Sequence, residues 1–352
     1  MSKKKILCVG GAGFLGSHLS HRFAKSEKYS VAQADIWSAK LKLKFQNEPF
    51  EFHNVDISKD AQTLDEMIED YDIVLNLASV PEPRMYVQQP LQVARLNLFD
   101  GYKIIEACAR RKKTLIHFST SEVYGKTLGS EEPFEEDSTN CITGPIQNHR
   151  WIYSTSKQML DRLIFGHGQQ DNLKFTIVRP FNIVGPLQDH VMENSDDGAP
   201  RVFAHFMSAL INGEPLRLVD GGQTKRTFLH VEDLVDALEL ILDNPEKTNG
   251  QIFNIGHPET ETTIADLAAL MRDIYETKLG GIQGRSDLIT VSSKDFYGEG
   301  YEDTERRMPD ISKLQELGWS PKFNLRELLE DTMSFTFKYK DRLTQKAMDA
   351  ME

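Results

Sequence analysis

A short apolar run, Lys5-Ile6-Leu7-Cys8-Val9, leads directly into Gly10-Gly11-Ala12-Gly13-Phe14-Leu15-Gly16, and this junction restricts the fold more than any other feature of the chain. The run has the length and composition of a strand buried on both faces. A helical pattern through Leu19 and Phe23 follows the glycines. Gly10, Gly13 and Gly16 form a G-x-x-G-x-x-G spacing, which differs slightly from the usual dinucleotide fingerprint. Small residues there let the backbone turn tightly and approach a pyrophosphate at the helix N-terminus. A second strand, Tyr29-Ser30-Val31-Ala32-Gln33-Ala34, ends in Asp35, about 20 residues past the glycines, as the fingerprint requires. A carboxylate there accepts hydrogen bonds from a ribose diol and repels a 2′-phosphate. Ile36 and Trp37 follow without an Arg, so NAD is favoured over NADP. A glycine-rich turn without a nucleotide is the bland alternative, and the strand–turn–helix–strand–Asp order argues against it.

The same alternation continues. Phe50-Glu51-Phe52-His53-Asn54-Val55, Asp72-Ile73-Val74-Leu75-Asn76-Leu77, Thr114-Leu115-Ile116-His117-Phe118 and Lys174-Phe175-Thr176-Ile177-Val178 read as strands. Helices are expected at 91–110 and 151–167. This pattern predicts an α/β fold: a doubly wound parallel Rossmann sheet with a smaller C-terminal α+β substrate lobe. After Arg179-Pro180 the pattern loosens, as in Asp196-Asp197-Gly198-Ala199-Pro200. A helix at 228–242 and a strand at Gln251-Ile252-Phe253-Asn254-Ile255-Gly256 return to the sheet. The expected domains are 1–180 with 228–257 for NAD, and 181–227 with 258–352 for a second ligand.

Ser119-Thr120-Ser121-Glu122-Val123-Tyr124-Gly125 continues from the Thr114–Phe118 strand. Its hydroxyls should emerge at a strand's carboxyl end, where open α/β sheets place their sites. Downstream, Tyr153-Ser154-Thr155-Ser156-Lys157 puts a Tyr and a Lys one helical turn apart on one face. An ammonium close to a phenol favours the phenolate, so Lys157 is expected to make Tyr153 a usable base. Taken alone, such a pair is ordinary helix surface.

The net charge of −12 argues against nonspecific binding to nucleic acid or anionic membranes. Cys8, Cys108 and Cys141 are scattered, with no disulfide framework or zinc spacing, so no metal site is expected. Cys8 and Cys108 read as buried small hydrophobes. There is no signal-peptide apolar region and no stretch long enough to span a bilayer, which makes a cytoplasmic location the expectation.

Together these residues resemble the extended short-chain dehydrogenase/reductase superfamily of nucleotide-sugar epimerases, dehydratases and decarboxylases. The resemblance covers nearly the whole chain. It implies a catalytic trio of Thr120, Tyr153 and Lys157. For the cofactor it implies contacts from Gly10, Gly13, Phe14, Leu15, Gly16, Asp35, Asp56 and Ala78, together with Tyr153 and Lys157. Asn97 matches a structural Asn of the family, and a place on the helix surface is an equal alternative.

Members share an opening step, in which the Tyr removes the proton of a sugar C4 hydroxyl while NAD takes the C4 hydride. The 4,6-dehydratases carry Asp-Glu before the Val-Tyr-Gly, whereas this chain has Ser121-Glu122. Thr-Ser-Glu-Val-Tyr-Gly resembles UDP-glucuronate decarboxylases. Oxidising C4 of a glucuronate makes a β-keto acid whose C6 carboxylate can leave as carbon dioxide. The resemblance gives Ser121 and Glu122 the tasks of orienting the carboxylate and protonating C5.

The segment Phe296-Tyr297-Gly298-Glu299-Gly300-Tyr301-Glu302-Asp303-Thr304-Glu305-Arg306-Arg307-Met308-Pro309-Asp310 is similar to one shared by two kinds of decarboxylase. These are the decarboxylase domain of the lipid A aminoarabinose pathway and the plant UDP-apiose/UDP-xylose synthases. The match makes Arg307 an active-site residue, suited to a carboxylate. It makes Tyr301 a nucleotide-sugar contact; without it, Arg306-Arg307 is an ordinary solvated pair. Tyr86, Asn182, Arg201, Arg217 and Arg226 are implied contacts of the UDP-sugar. Two departures matter. The plant synthases carry a Cys where this chain has Ser121, and a second Cys in the loop where it has Val80-Pro81-Glu82-Pro83. Those thiols are associated with ring contraction to apiose, so simple decarboxylation is favoured here.

The expected activity is therefore NAD-dependent decarboxylation of UDP-glucuronate to UDP-xylose or a UDP-4-keto-pentose. Apiose formation, a 4-epimerase or 4,6-dehydratase, and a non-enzymatic NAD(H)-binding regulator are the alternatives. The regulator would lack Thr120, Tyr153 or Lys157, and all three are present. The resemblance also implies a homodimer through the 91–110 and 151–167 helices. Leu96, Leu98, Ile104, Ile105, Leu160, Leu163, Ile164 and Phe165 are the apolar residues expected to serve it.

Overall fold

The computed structural model describes residues 3–45, 51–193, 201–281, 286–299 and 301–351. Phe50 and the Asp196-Asp197-Gly198-Ala199-Pro200 stretch lie outside the described residues. The central sheet has seven strands: β1 (Lys4–Val9), β2 (Tyr29–Asp35), β3 (Glu51–Asn54), β4 (Ile73–Asn76), β5 (Thr114–Phe118), β6 (Phe175–Pro180) and β7 (Gln251–Ile255). Their order is β7-β6-β5-β4-β1-β2-β3, and every pairing is parallel. The order reverses between β1 and β4. Ligands of open α/β sheets bind outside the carboxyl ends at such a point.

Both sheet faces are covered, which explains the continuous apolar runs. On one face Ile6, Leu75, Ile116 and Val178 pack with helices Phe14–Ala24 and Val231–Asp243 through Leu19, Phe23, Leu234 and Leu238. On the other, Leu7, Val9, Val74, Leu115 and Ile177 pack with Ala61–Ile68, Gly101–Arg110 and Ile152–Gln170. Cys8 and Cys108 are fully buried within these layers. A third core, built from Phe206, Leu210, Leu267, Met271, Leu328 and Met333, belongs to the smaller lobe. Ile311, Leu314, Trp319, Leu343 and Met348 return to the first core, so the C-terminal chain closes back onto the sheet.

Three expectations are corrected. The 91–110 segment is not a uniform α-helix, because wider π turns at Arg95–Asp100 separate Pro90–Ala94 from Gly101–Arg110. Within the π turns, the Asn97 amide donates to the Val93 carbonyl at 3.0 Å. Its Oδ1 accepts from Ser79 Oγ at 2.8 Å and from the Val80 N–H at 3.1 Å. Asn97 is thus a buried strut under the β4 loop rather than helix surface. The helix expected from 228 begins at Val231, where the His230 ring accepts the Glu232 N–H and caps it. Ile104, Ile105, Leu160 and Ile164 are core residues, whereas Leu91, Phe99, Met159 and Phe165 are the exposed apolar side chains of those two segments.

The lobe brings the basic residues to the sheet's carboxyl edge. Thr262–Thr263, Lys225–Arg226 and Arg306–Arg307 form a small sheet in which Arg307 is the register partner of Arg226. Like charges side by side on a ladder repel. Asp303 lies between them and offsets the repulsion, 2.6 Å from Arg226 and 3.2 Å from Arg307.

Candidate active site

Gly10 has φ +78°, and a Cβ there would sit 2.8 Å from the Ala78 amide nitrogen, so the turn demands glycine. At Gly16 a Cβ would meet the Gly11 carbonyl at 2.5 Å. The helix Phe14–Ala24 starts at Gly13 with no side-chain cap and no acidic residue in its first turn. Its free N–H groups and positive dipole end therefore face the cleft. The Asp35 carboxylate is held there by the N–H groups of Ala12 at 3.0 Å and Ile36 at 2.7 Å. Burial raises its affinity for protons, and these N–H groups oppose the rise. These residues fit a dinucleotide: a bare helix end for the pyrophosphate and a fixed carboxylate for the ribose. Gly16→Ala is expected to weaken NAD binding by tenfold or more, since backbone rather than a movable side chain blocks the methyl. Fluorescence titration with NADH checks it, and unchanged affinity would contradict the close approach.

One cleft of about 990 Å³ joins this cradle to the ends of β4 and β5 and to the lobe. It is lined by every residue singled out in the sequence for cofactor, catalysis or substrate except Lys157. Tyr153 stacks on Tyr86 with ring centroids 4.9 Å apart and planes 7° off parallel. The Ser79 hydroxyl is 3.4 Å from the Tyr153 oxygen, and the Thr120 hydroxyl also hydrogen-bonds it. Thr120 caps the short turn Ser121–Tyr124 by accepting the Glu122 N–H, which sets Ser121 and Glu122 beside Tyr153.

Lys157 makes no hydrogen bond to Tyr153 here. Its ammonium lies behind the cleft, 1% exposed, and donates to the Phe118 carbonyl at 2.9 Å. Burial pushes the Tyr153 phenol up to about 12, opposed by the hydroxyls of Ser79 and Thr120. Burial also pushes Lys157 down to about 8, with Asp161 one turn away opposing it. The unfolded chain binds the Lys157 proton up to about pH 10.5 and the folded chain only to about pH 8, so this group destabilises the fold at neutral pH and its cost fades as pH rises between the two. Lys157→Met is therefore expected to stabilise the protein at pH 7 by about 1–3 kcal/mol while lowering activity. Thermal melts at pH 7 and pH 10 check this; an equal or larger gain at pH 10 would contradict it.

Glu122 is bracketed by two guanidiniums, Arg150 at 2.6 Å and Arg307 at 3.3 Å. Burial alone would raise its carboxyl, but those guanidiniums outweigh burial and hold it below the usual range. Asn182 has φ +39°, and its amide donates to the Thr227 carbonyl at 2.8 Å. Arg201 pairs with Asp189, and Arg217 reaches the cleft from the strand Leu216–Val219. Tyr301 stacks on Tyr297 with centroids 4.0 Å apart.

Sequence reasoning missed Lys40, Ser79, Arg150 and Asp303, all on the cleft wall. Lys40 sits within Ala39-Lys40-Leu41-Lys42-Leu43-Lys44, whose strict alternation carries no helical periodicity and no site motif. In the structure its ammonium donates to the Gln188 carbonyl at 3.0 Å, and burial pushes it down to about 8. Asp303 stands four residues before Arg307, a spacing that could have flagged it.

Residues 6–256 match the model of the NAD dependent epimerase/dehydratase family. The chain belongs to that family. Its Rossmann sheet and glycine cradle are those of an NAD-dependent epimerase/dehydratase, and its cofactor is NAD. It is 39% identical to the rice (Oryza sativa subsp. japonica) UDP-D-apiose/UDP-D-xylose synthase, over 98% of this chain and 92% of that one. Among solved structures it is similar to PbgP3 protein from Burkholderia pseudomallei, with a TM-score of 0.85, 31% identity and 99% of each chain covered. It also shares its fold with the UDP-glucuronic acid 4-epimerase of Bacillus cereus, solved with UDP-glucuronic acid and NAD (TM-score 0.78, 24% identity, 95% of this chain and 99% of that one). Among the described residues no helix is long and apolar enough to cross a membrane.

Proposed function

We propose that this protein decarboxylates UDP-glucuronate through a C4-keto intermediate. The observation that carries the reading is the wall beside Tyr153, where Arg307 stands 3.3 Å from Glu122 with Arg150 on the acid's other side. A neutral hexose needs no such group, whereas a C6 carboxylate does. Bound NAD supplies the hydride acceptor at C4 and a cationic ring that favours the Tyr153 phenolate. Tyr153 takes the O4 proton, oriented by Thr120. Arg307, aided by Ser121, holds the C6 carboxylate. With C4 a ketone, the C5–C6 bond breaks, carbon dioxide leaves, and the electron pair settles on the C4 oxygen. Once carbon dioxide has left, Glu122, beside Arg307, takes up a proton from solvent and passes it to C5, which completes the step. Asn182, Arg201, Arg217, Arg226 and Tyr301 hold the UDP.

Ser121 and Val80–Pro83 in place of thiols favour a pentopyranose product over apiose. Residues 1–180 with 228–257 form the NAD domain in this reading, and 181–227 with 258–352 the sugar-nucleotide lobe. Leu91, Phe99, Met159 and Phe165 supply an apolar face for a homodimer, and the location is cytoplasmic. Sedimentation showing only monomer at micromolar concentration would sink the dimer. The activity is tested by proton NMR of the product formed from UDP-glucuronate and NAD, with NADH absorbance followed in parallel. UDP-xylose with steady NADH means the hydride returns to C4. A 4-keto-pentose with matching NADH means product leaves first. An unchanged hexuronate would overturn the reading.

A further inference from the structure

Five charged side chains alternate along one wall of the cleft: Arg150, Glu122, Arg307, Asp303 and Arg226, at successive distances of 2.6, 3.3, 3.2 and 2.6 Å. A substrate carboxylate at Arg307 competes with Glu122 for that guanidinium. An acid released inside a cleft either takes up a proton or swings towards the nearest cation. Arg150 prevents both. Its side chain is 3% exposed and its guanidinium lies 5.3 Å from the Tyr86 ring, 5.8 Å from Trp151 and 5.6 Å from Tyr301. Trp151 is itself anchored by its indole N–H to Glu302 at 2.9 Å. Arg150 thus has a fixed seat built by aromatic rings from three segments, and its terminal N–H reaches Glu122 from the side away from Arg307.

We propose that Arg150 is the positioning residue that keeps Glu122 ionised and in place while Arg307 turns to the substrate carboxylate, and so separates decarboxylation from the C4 oxidation that precedes it. The inference rests on the UDP-glucuronate reading. The groups facing Glu122 are Arg150 from the turn His149–Trp151, Arg307 from its strand, Asp303 from the loop before that strand, and the phenols of Tyr86 and Tyr153 from their helices. Without Arg150, burial and Asp303 both push Glu122 towards its protonated form, and Arg307 alone opposes them.

The test compares Arg150→Gln, Arg150→Lys, Glu122→Gln and the Arg150→Gln/Glu122→Gln double variant. NADH formation in a single turnover and carbon dioxide release are followed separately from UDP-glucuronate and NAD. Arg150→Gln is expected to keep NADH formation within severalfold of wild type. Carbon dioxide release should fall by about tenfold to a hundredfold, with the acid limb of its pH profile moved to higher pH. Arg150→Lys should restore part of the rate and return the limb. The double variant should lose no more than Glu122→Gln alone. NADH binding reports whether each variant is folded, and Arg150→Lys carries the pH test if the Gln variant is not. Parallel loss of oxidation and decarboxylation with an unmoved acid limb, or additive losses in the double variant, overturns the role of Arg150 alone. A wild type that releases no carbon dioxide overturns the decarboxylase reading and this inference with it.

Discussion

Tyr153→Phe is expected to lower UDP-glucuronate turnover by about 10³-fold while leaving NADH affinity within about a factor of two. The phenylalanine ring keeps the stack on Tyr86 and gives up only the hydroxyl that meets Ser79 and Thr120. The loss should fall on kcat and leave KM nearly unchanged, because the O4 proton moves only in the reacting complex. Steady-state kinetics with a parallel NADH titration checks this. More than a tenth of wild-type activity in the variant would remove Tyr153 from the role of base.

Arg307→Met has the second largest expected effect, about 10²–10³-fold on carbon dioxide release, with KM for UDP-glucuronate raised as well. Removing one member of a buried ion pair usually costs stability heavily, about 3–5 kcal/mol. Here the two acids keep other partners, Arg150 for Glu122 and Arg226 for Asp303, so the melting point should fall less than that figure implies. The loss should be specific to the charged sugar. Binding of UDP-glucuronate weakens in the variant, whereas binding of UDP-glucose, followed by isothermal titration, stays the same. Equal weakening of both would place Arg307 at the diphosphate instead of the carboxylate.

The parts of this site legible in the sequence are those governed by neighbours in the chain. The Gly10–Gly16 turn, Asp35 at the end of β2 and Thr120 at the end of β5 each follow from a strand running into a loop, and the structure brings all of them to one cleft. Glu122 and Tyr153 were legible for the same reason. What was not legible depends on contacts between distant segments. Arg307 stands beside Arg226 because two short strands of the lobe pair in parallel. Asp303 matters because that pairing would otherwise set two guanidiniums side by side. The Tyr153–Lys157 spacing suggested a direct electrostatic pair, yet the lysine's tetramethylene stem carries its ammonium to the Phe118 carbonyl. Asn97 could not be separated from helix surface by pattern, since the groups it holds, Ser79 and Val80, belong to a loop distant in sequence. Lys40 was hidden by an alternating Lys-Leu pattern that ordinarily marks a solvated face.

The central claim is that this cleft removes the C6 carboxylate of a nucleotide-linked glucuronate after oxidising C4. The most direct measurement uses UDP-glucuronate carrying 13C at C6, incubated with the pure protein and NAD, with labelled carbon dioxide and bicarbonate read by 13C NMR. The account predicts that the carboxylate signal disappears as labelled carbon dioxide and bicarbonate appear in equal amount, and that Arg307→Met slows both together. A carboxylate signal that persists while NADH forms, or while C4 inverts, would contradict it and identify a dehydrogenase or epimerase in its place.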